Sequence, residues 1–103
     1  MQISKINFKG GRLNYALCID KLDLNKDARV QKDLLQEDLL QVEFSDRGFV
    51  LDLGWFPAYD IHGRFVLNVI KDGDWEAPVL KMEFIETRDL EINLNKAIDF
   101  CTK

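Results

Sequence analysis

A chain of 103 residues with eighteen acids against fourteen bases, a net charge of −4 and a pI near 4.9 is a poor ligand for a phosphate backbone, because that binding rests on clustered Lys and Arg displacing counterions. Its 47% hydrophobic content excludes the disordered class, and one domain of this length leaves roughly 6,000 Å² accessible, about a third of what the unfolded chain exposes. Two widely spaced cysteines make no zinc or redox motif, no apolar run reaches membrane-helix length, and the opening MQISKINF has no signal character. The expectation is one cytoplasmic domain over residues 1–103, away from membranes, with reduced thiols at Cys18 and Cys101.

Taken in order, residues 2–8 alternate weakly and Lys9-Gly10-Gly11-Arg12 is a turn. Leu13, Tyr15, Leu17 and Ile19 then alternate with polar or small neighbours, so a first hairpin of 2–8 with 12–20 is expected. Asn25 or Asp27 can cap a helix to about Glu37, with Ala28, Val30, Leu34 and Leu35 as its apolar stripe and Gln31 facing out.

The stretch LLQVEFSDRGFVLDLGWFP, residues 39–57, carries the clearest signal. Leu40, Val42 and Phe44 alternate before the Ser45-Asp46-Arg47-Gly48 turn, and Phe49, Leu51, Leu53 and Trp55 alternate after it. A loop over 58–63 leads to a strand from Arg64 to Lys71 and the turn Asp72-Gly73-Asp74. Pro78 argues for an edge or bulge before a last strand with Leu80, Met82 and Phe84 inward. Thr87 or Asp89 caps a closing helix whose Leu90, Leu94, Ala97, Ile98 and Cys101 fall at helical spacing. The fold class predicted is α+β: a mainly antiparallel sheet of about six strands, one helix after the second strand and a C-terminal helix on the sheet.

Charge is unevenly spread. Between Asp33 and Asp60 seven acids face a single base, Arg47, whereas the rest of the chain holds eleven acids and thirteen bases. Gathered on one surface, that middle would be an electronegative dock for a basic partner. Adjacent Trp55 and Phe56 cannot share a strand face, so one of them points outward. Trp55, Tyr59 and Trp75 are candidate anchors, and Asp52, Asp60, Asp72, Asp74 and Glu76 are their acidic rim.

Catalytic chemistry has little to use. His62 is the single histidine, and Gly10-Gly11 precedes a strand rather than the helix of a phosphate loop. No catalytic residue, metal or cofactor is expected. A small enzyme or metal site would need Asp60, His62 and Asp74 to converge.

The strings LLQEDLLQVEF, VLDLGWFPAYD and HGRFVLNVIKDGDWEAP, followed by a short C-terminal helix, make residues 34–100 resemble the small acidic immunity proteins of bacterial toxin systems, including the contact-dependent growth inhibition type. The resemblance implies a non-catalytic cytosolic binder that occludes a cognate toxin domain, often a nuclease with a basic cleft. It brings no functional residues with it. The rival expectation is an adaptor domain for some other cytosolic protein.

Overall fold

In a computed structural model that describes every residue from Met1 to Lys103, five strands and one α-helix form: β1 (Arg12–Ala16), β2 (Leu40–Phe44), β3 (Phe49–Phe56), β4 (Arg64–Lys71), β5 (Leu80–Phe84) and α1 (Leu90–Thr102). The strands lie in sequence order as one antiparallel meander, so the fold is α+β with a C-terminal helix on the sheet. The central hairpin pairs as its alternation dictates, with Leu40 opposite Leu53, Val42 opposite Leu51 and Phe44 opposite Phe49.

Period-2 alternation gives this sheet one apolar face. Leu40, Val42, Phe44, Leu51, Leu53, Trp55, Phe65, Leu67 and Val69 are all buried there, and α1 covers them with Leu90, Leu94, Ala97, Ile98 and Cys101. Trp55 meets Phe65 edge-on at 4.9 Å between ring centroids, and Phe65 stacks on Phe84 at 5.1 Å, both favourable arrangements for the ring quadrupoles. The accessible surface is 5983 Å², the area expected of a chain this size. No helix is long and apolar enough to cross a membrane.

The expected opening strand does not form, so the sheet has five strands rather than six. Ile3–Lys5 is a 3-10 turn that buries Ile3, and the Ile3 amide donates to Asp20 Oδ1 at 2.7 Å. The N-terminal amine donates to the Leu22 carbonyl. This segment is tied to residues 20 and 22 in place of a ladder, and β1 pairs with β2. β1 also stops early, because Cys18 takes a left-handed conformation before a 3-10 turn at Ile19–Lys21.

The helix expected over 25–37 is a 3-10 segment, Ala28–Leu34, broken at Gln31. Asp27 caps it through the Arg29 amide at 2.8 Å. Gln31 folds back rather than facing out. It accepts from the Asp23 amide at 2.7 Å and donates to the Asp23 carbonyl at 2.8 Å. Those side-chain bonds compete with helix propagation, and Val30 of the expected stripe is 74% exposed. Neither Thr87 nor Asp89 caps α1 with its side chain. The buried Thr87 hydroxyl instead donates to the Lys26 carbonyl at 2.5 Å, tying the 22–28 loop to the corner between β5 and α1.

One close approach fixes how β2 is entered. The Trp55 amide donates to the Gln36 carbonyl at 2.9 Å, the Leu39 amide donates to the Leu53 carbonyl at 3.0 Å, and residues 37 and 38 arch between them over Gly54. A Cβ on Gly54 would collide with the Glu37 carbonyl and sit 2.7 Å from the Phe56 ring. Because the obstacle is backbone, it cannot swing aside. Gly54→Ala is therefore expected to cost about 1–3 kcal/mol, read as a lower urea midpoint with an unchanged m-value.

Both cysteines are free. Burial pushes the Cys101 thiol up to about 11, so little thiolate exists at neutral pH. A thiol reagent should label Cys18 in the native protein and reach Cys101 only on unfolding. Equal native labelling of both would contradict the packing of α1.

Candidate functional site

The same alternation that fills the core leaves the other sheet face without a helix. Gln41, Glu43, Val50, Asp52, Gly54, Phe56, Arg64, Val66, Asn68, Lys81 and Glu83 fall on it by register. Across its middle, direct cross-strand pairing lines up Tyr15, Gln41, Asp52, Asn68 and Lys81, one residue from each strand. Tyr15 reaches this row through an irregularity in β1. Leu13 pairs with Val42 on the core face, yet Tyr15 pairs with Gln41 on the open face, the effect of one extra residue in a bulged strand.

Side chains in the row are bonded to one another. The Tyr15 hydroxyl lies 3.2 Å from Asp52 Oδ1 and 3.3 Å from Asp38 Oδ1, and Gln41 Nε2 lies 3.4 Å from Asp52 Oδ1. Asn14 donates to Gln41 Oε1 at 2.9 Å. A hydroxyl has one proton, so Tyr15 serves one carboxylate at a time. Burial holds the Asp52 carboxyl above the usual carboxylate range, opposed by bonds from Gln41 and Tyr15 and aided by the Asp38 charge. Burial first, then the Asp52 and Asp38 charges, push the Tyr15 phenol far above its ordinary value. Two acids thus flank one neutral phenol.

Beside the row lies a shallow concavity of 590 Å³, lined by Glu37, Phe56, Pro57, Arg64, Val66, Asn68, Lys81 and Glu83. Asn68 Oδ1 is buried there without a hydrogen-bond partner. Its register neighbours are Asp52 and Lys81, and Asp52 becomes a donor only when protonated. Arg64 and Lys81 both approach Glu83, at 3.9 and 3.8 Å, and Arg12 approaches Glu43 at 3.4 Å. The open face is consequently mixed in sign, with Glu37, Asp38, Glu43, Asp52 and Glu83 against Arg12, Arg64 and Lys81.

The residues singled out from sequence do not form one surface. Asp52 sits at the centre of the open face. Trp55 is fully buried, so it is a core residue and not an anchor; its indole donates to the Asp60 carbonyl at 2.9 Å. Phe56 is the member of that pair that faces out. Tyr59 is exposed, with its hydroxyl 3.4 Å from Gln36 Oε1, and Asp60 Oδ1 accepts from the His62 amide at 2.8 Å. Asp72, Asp74, Trp75 and Glu76 lie in the loop at the other end of β4, with Trp75 52% exposed. Eight strand residues separate the two loops, about 24 Å. Asp60 and His62 therefore do not meet Asp74, and no group of three or more His, Cys, Asp or Glu side chains is placed to hold a metal ion.

Of the seven acids between positions 33 and 60, Glu37, Asp38, Glu43 and Asp52 gather on or above the open face. Asp33 pairs with Lys32 at 3.1 Å, Asp46 lies in the turn between β2 and β3, and Asp60 caps its own loop. Tyr15, Asp38 and Gln41 were not legible as a group, because the β1 irregularity that joins them has no sequence signature. No protein-family model matches the chain, and comparison with curated proteins and with solved structures gives no match.

The Asp52 environment has a pH consequence. The folded state holds the Asp52 proton more tightly than the unfolded chain does, so the wild type loses stability as pH rises from the ordinary carboxylate range through the raised folded value. Asp52→Asn removes that loss and gives Asn68 Oδ1 an amide donor across the strands. Thermal melts should place Asp52→Asn a few degrees above wild type at neutral pH, with the gap closing below about pH 4. A gap that narrows as pH rises would mean that the charged carboxylate is stabilising where it stands.

Proposed function

We propose that this protein is a non-catalytic binder of another protein, and that it serves as an immunity-type inhibitor which occludes a cognate toxin domain with the open face of its sheet. The observation that carries the proposal is the Asp52 cluster. A half-buried carboxylate, a second acid and an unpartnered Asn68 oxygen cost stability on a face that no helix covers. Groups held against their own solvation in this way mark a place where function outweighs packing.

The acids that rise above the face, Glu37 and Asp38, are both exposed. Together with Asp52 they favour a partner with projecting Lys or Arg side chains, as a nuclease cleft has. Charge of this kind speeds encounter more than it deepens affinity. The mixed signs elsewhere on the face favour the second reading, an adaptor domain whose partner carries both charges. Docking by Asp60, Asp72, Asp74 and Glu76 gains no support from loops at opposite ends of β4.

Co-expression with a candidate toxin domain, sought first among the products of neighbouring genes, separates these readings. An immunity protein should keep the cells alive and co-purify with the toxin, and Glu37→Lys with Asp38→Lys should slow association about tenfold at low salt. Asp60→Lys with Asp74→Lys should leave the rate near wild type. The opposite ranking would move the docking surface to the loops, and cells that die despite co-expression would remove the immunity role.

A further inference from the structure

The two edges of the sheet are finished differently. β1 is irregular between Leu13 and Tyr15, which spoils it as a template for another strand. β5 pairs with β4 in unbroken register from Leu80 to Phe84. Outside the regular ladders, no backbone hydrogen bond reaches residues 80 to 85, so every second N–H and C=O of β5 points outward unpaired. Val79 and Ile85, at the two ends of this edge, are 47% and 50% exposed.

The order of residues along the edge is Val79-Leu80-Lys81-Met82-Glu83-Phe84-Ile85. It is symmetric about Met82 in size and polarity, and antisymmetric in charge. We infer that β5 is a self-pairing edge: a second copy of this chain adds antiparallel across a two-fold axis at Met82, joining two five-stranded sheets into one. In that register Lys81 faces Glu83 of the other copy and Glu83 faces its Lys81. Leu80 meets Phe84.

Charged side chains on an edge strand usually prevent such pairing. Here they select one register. Moving the axis to Lys81 or to Glu83 sets like charges opposite each other, and so does a parallel in-register arrangement, which cross-strand pairs do not tolerate. The contact is isologous and closes on itself, so it yields dimers and not fibres. It uses the sheet edge, and the two charged residues that set its register, Lys81 and Glu83, also border the concavity of the open face. A short strand pair buries less than the roughly 1,200 Å² of a standard interface, so the dimer forms reversibly at raised concentration.

Sedimentation of the full chain up to about 1 mM, a range that captures affinities as weak as about −4 kcal/mol, tests this. The wild type should shift toward twice its 12.0 kDa mass. Glu83→Lys alone and Lys81→Glu alone should each stay monomeric with an unchanged circular dichroism spectrum. An equal mixture of these two variants, and the double swap Lys81→Glu with Glu83→Lys, should both recover the dimer. A wild type that stays monomeric throughout overturns the proposal and leaves the edge to a foreign strand. A dimer that survives either single charge change also overturns it, since some other surface is then responsible.

Discussion

The backbone of Glu37 resting on Gly54 is the contact on which the open face depends. It lets the chain leave its 3-10 segment, cross the end of β3 and enter β2 in the register that buries Leu40 and Val42. It also lifts Glu37 and Asp38 above a face that would otherwise be flat. Glu37 then forms part of the rim of the concavity, and Asp38 comes within reach of Tyr15. A side chain at position 54 would push the arch off the sheet, because the Glu37 carbonyl stands where its Cβ would be.

The two sheet faces show different balances of the same forces. On the covered face, apolar burial and aromatic packing agree with local alternation, and nothing polar is stranded. On the open face, Asp52 keeps its carboxyl under partial burial with only a shared phenol and an amide as donors. Cross-strand neighbours at that spacing interact strongly, yet Asn68 Oδ1 remains unserved. An internally consistent sheet would place a Thr or Val in this row. The mismatch is local, and it stands where a partner could supply the missing donors.

Most of the sheet was readable from sequence because each strand after position 39 has one face in the core, and the two-residue period records that fact directly. Even the orientation of Trp55 was written in the run Leu51, Leu53, Trp55; what the sequence suggested as an anchor is the last residue of a buried row. The N-terminal third was harder to read. Residues 2–8 and 25–37 are held by side-chain bonds from Asp20, Asp27 and Gln31 to backbone that lies from 2 to 17 residues away, and such bonds leave no periodic trace. The Tyr15 cluster was hidden for a related reason. Strict alternation puts Tyr15 with Leu13 and Leu17, and only a slip in β1 turns it to the open face.

That slip and the unbroken register of β5 over Leu80–Phe84 bear on each other. A sheet with two clean edges could grow from both sides into an open array, whereas one spoiled edge limits growth to a single event. The two-fold axis of an antiparallel strand pair runs perpendicular to the sheet, so joining two copies through β5 leaves both open faces on the same side. Lys81 and Glu83 then belong to two arrangements. In the single chain Glu83 is shared between Lys81 and Arg64 at long distance. In the paired state it gains a Lys81 opposite. Arg64 lines the concavity beside Asn68, so the edge strand and the open face share the residues around Glu83.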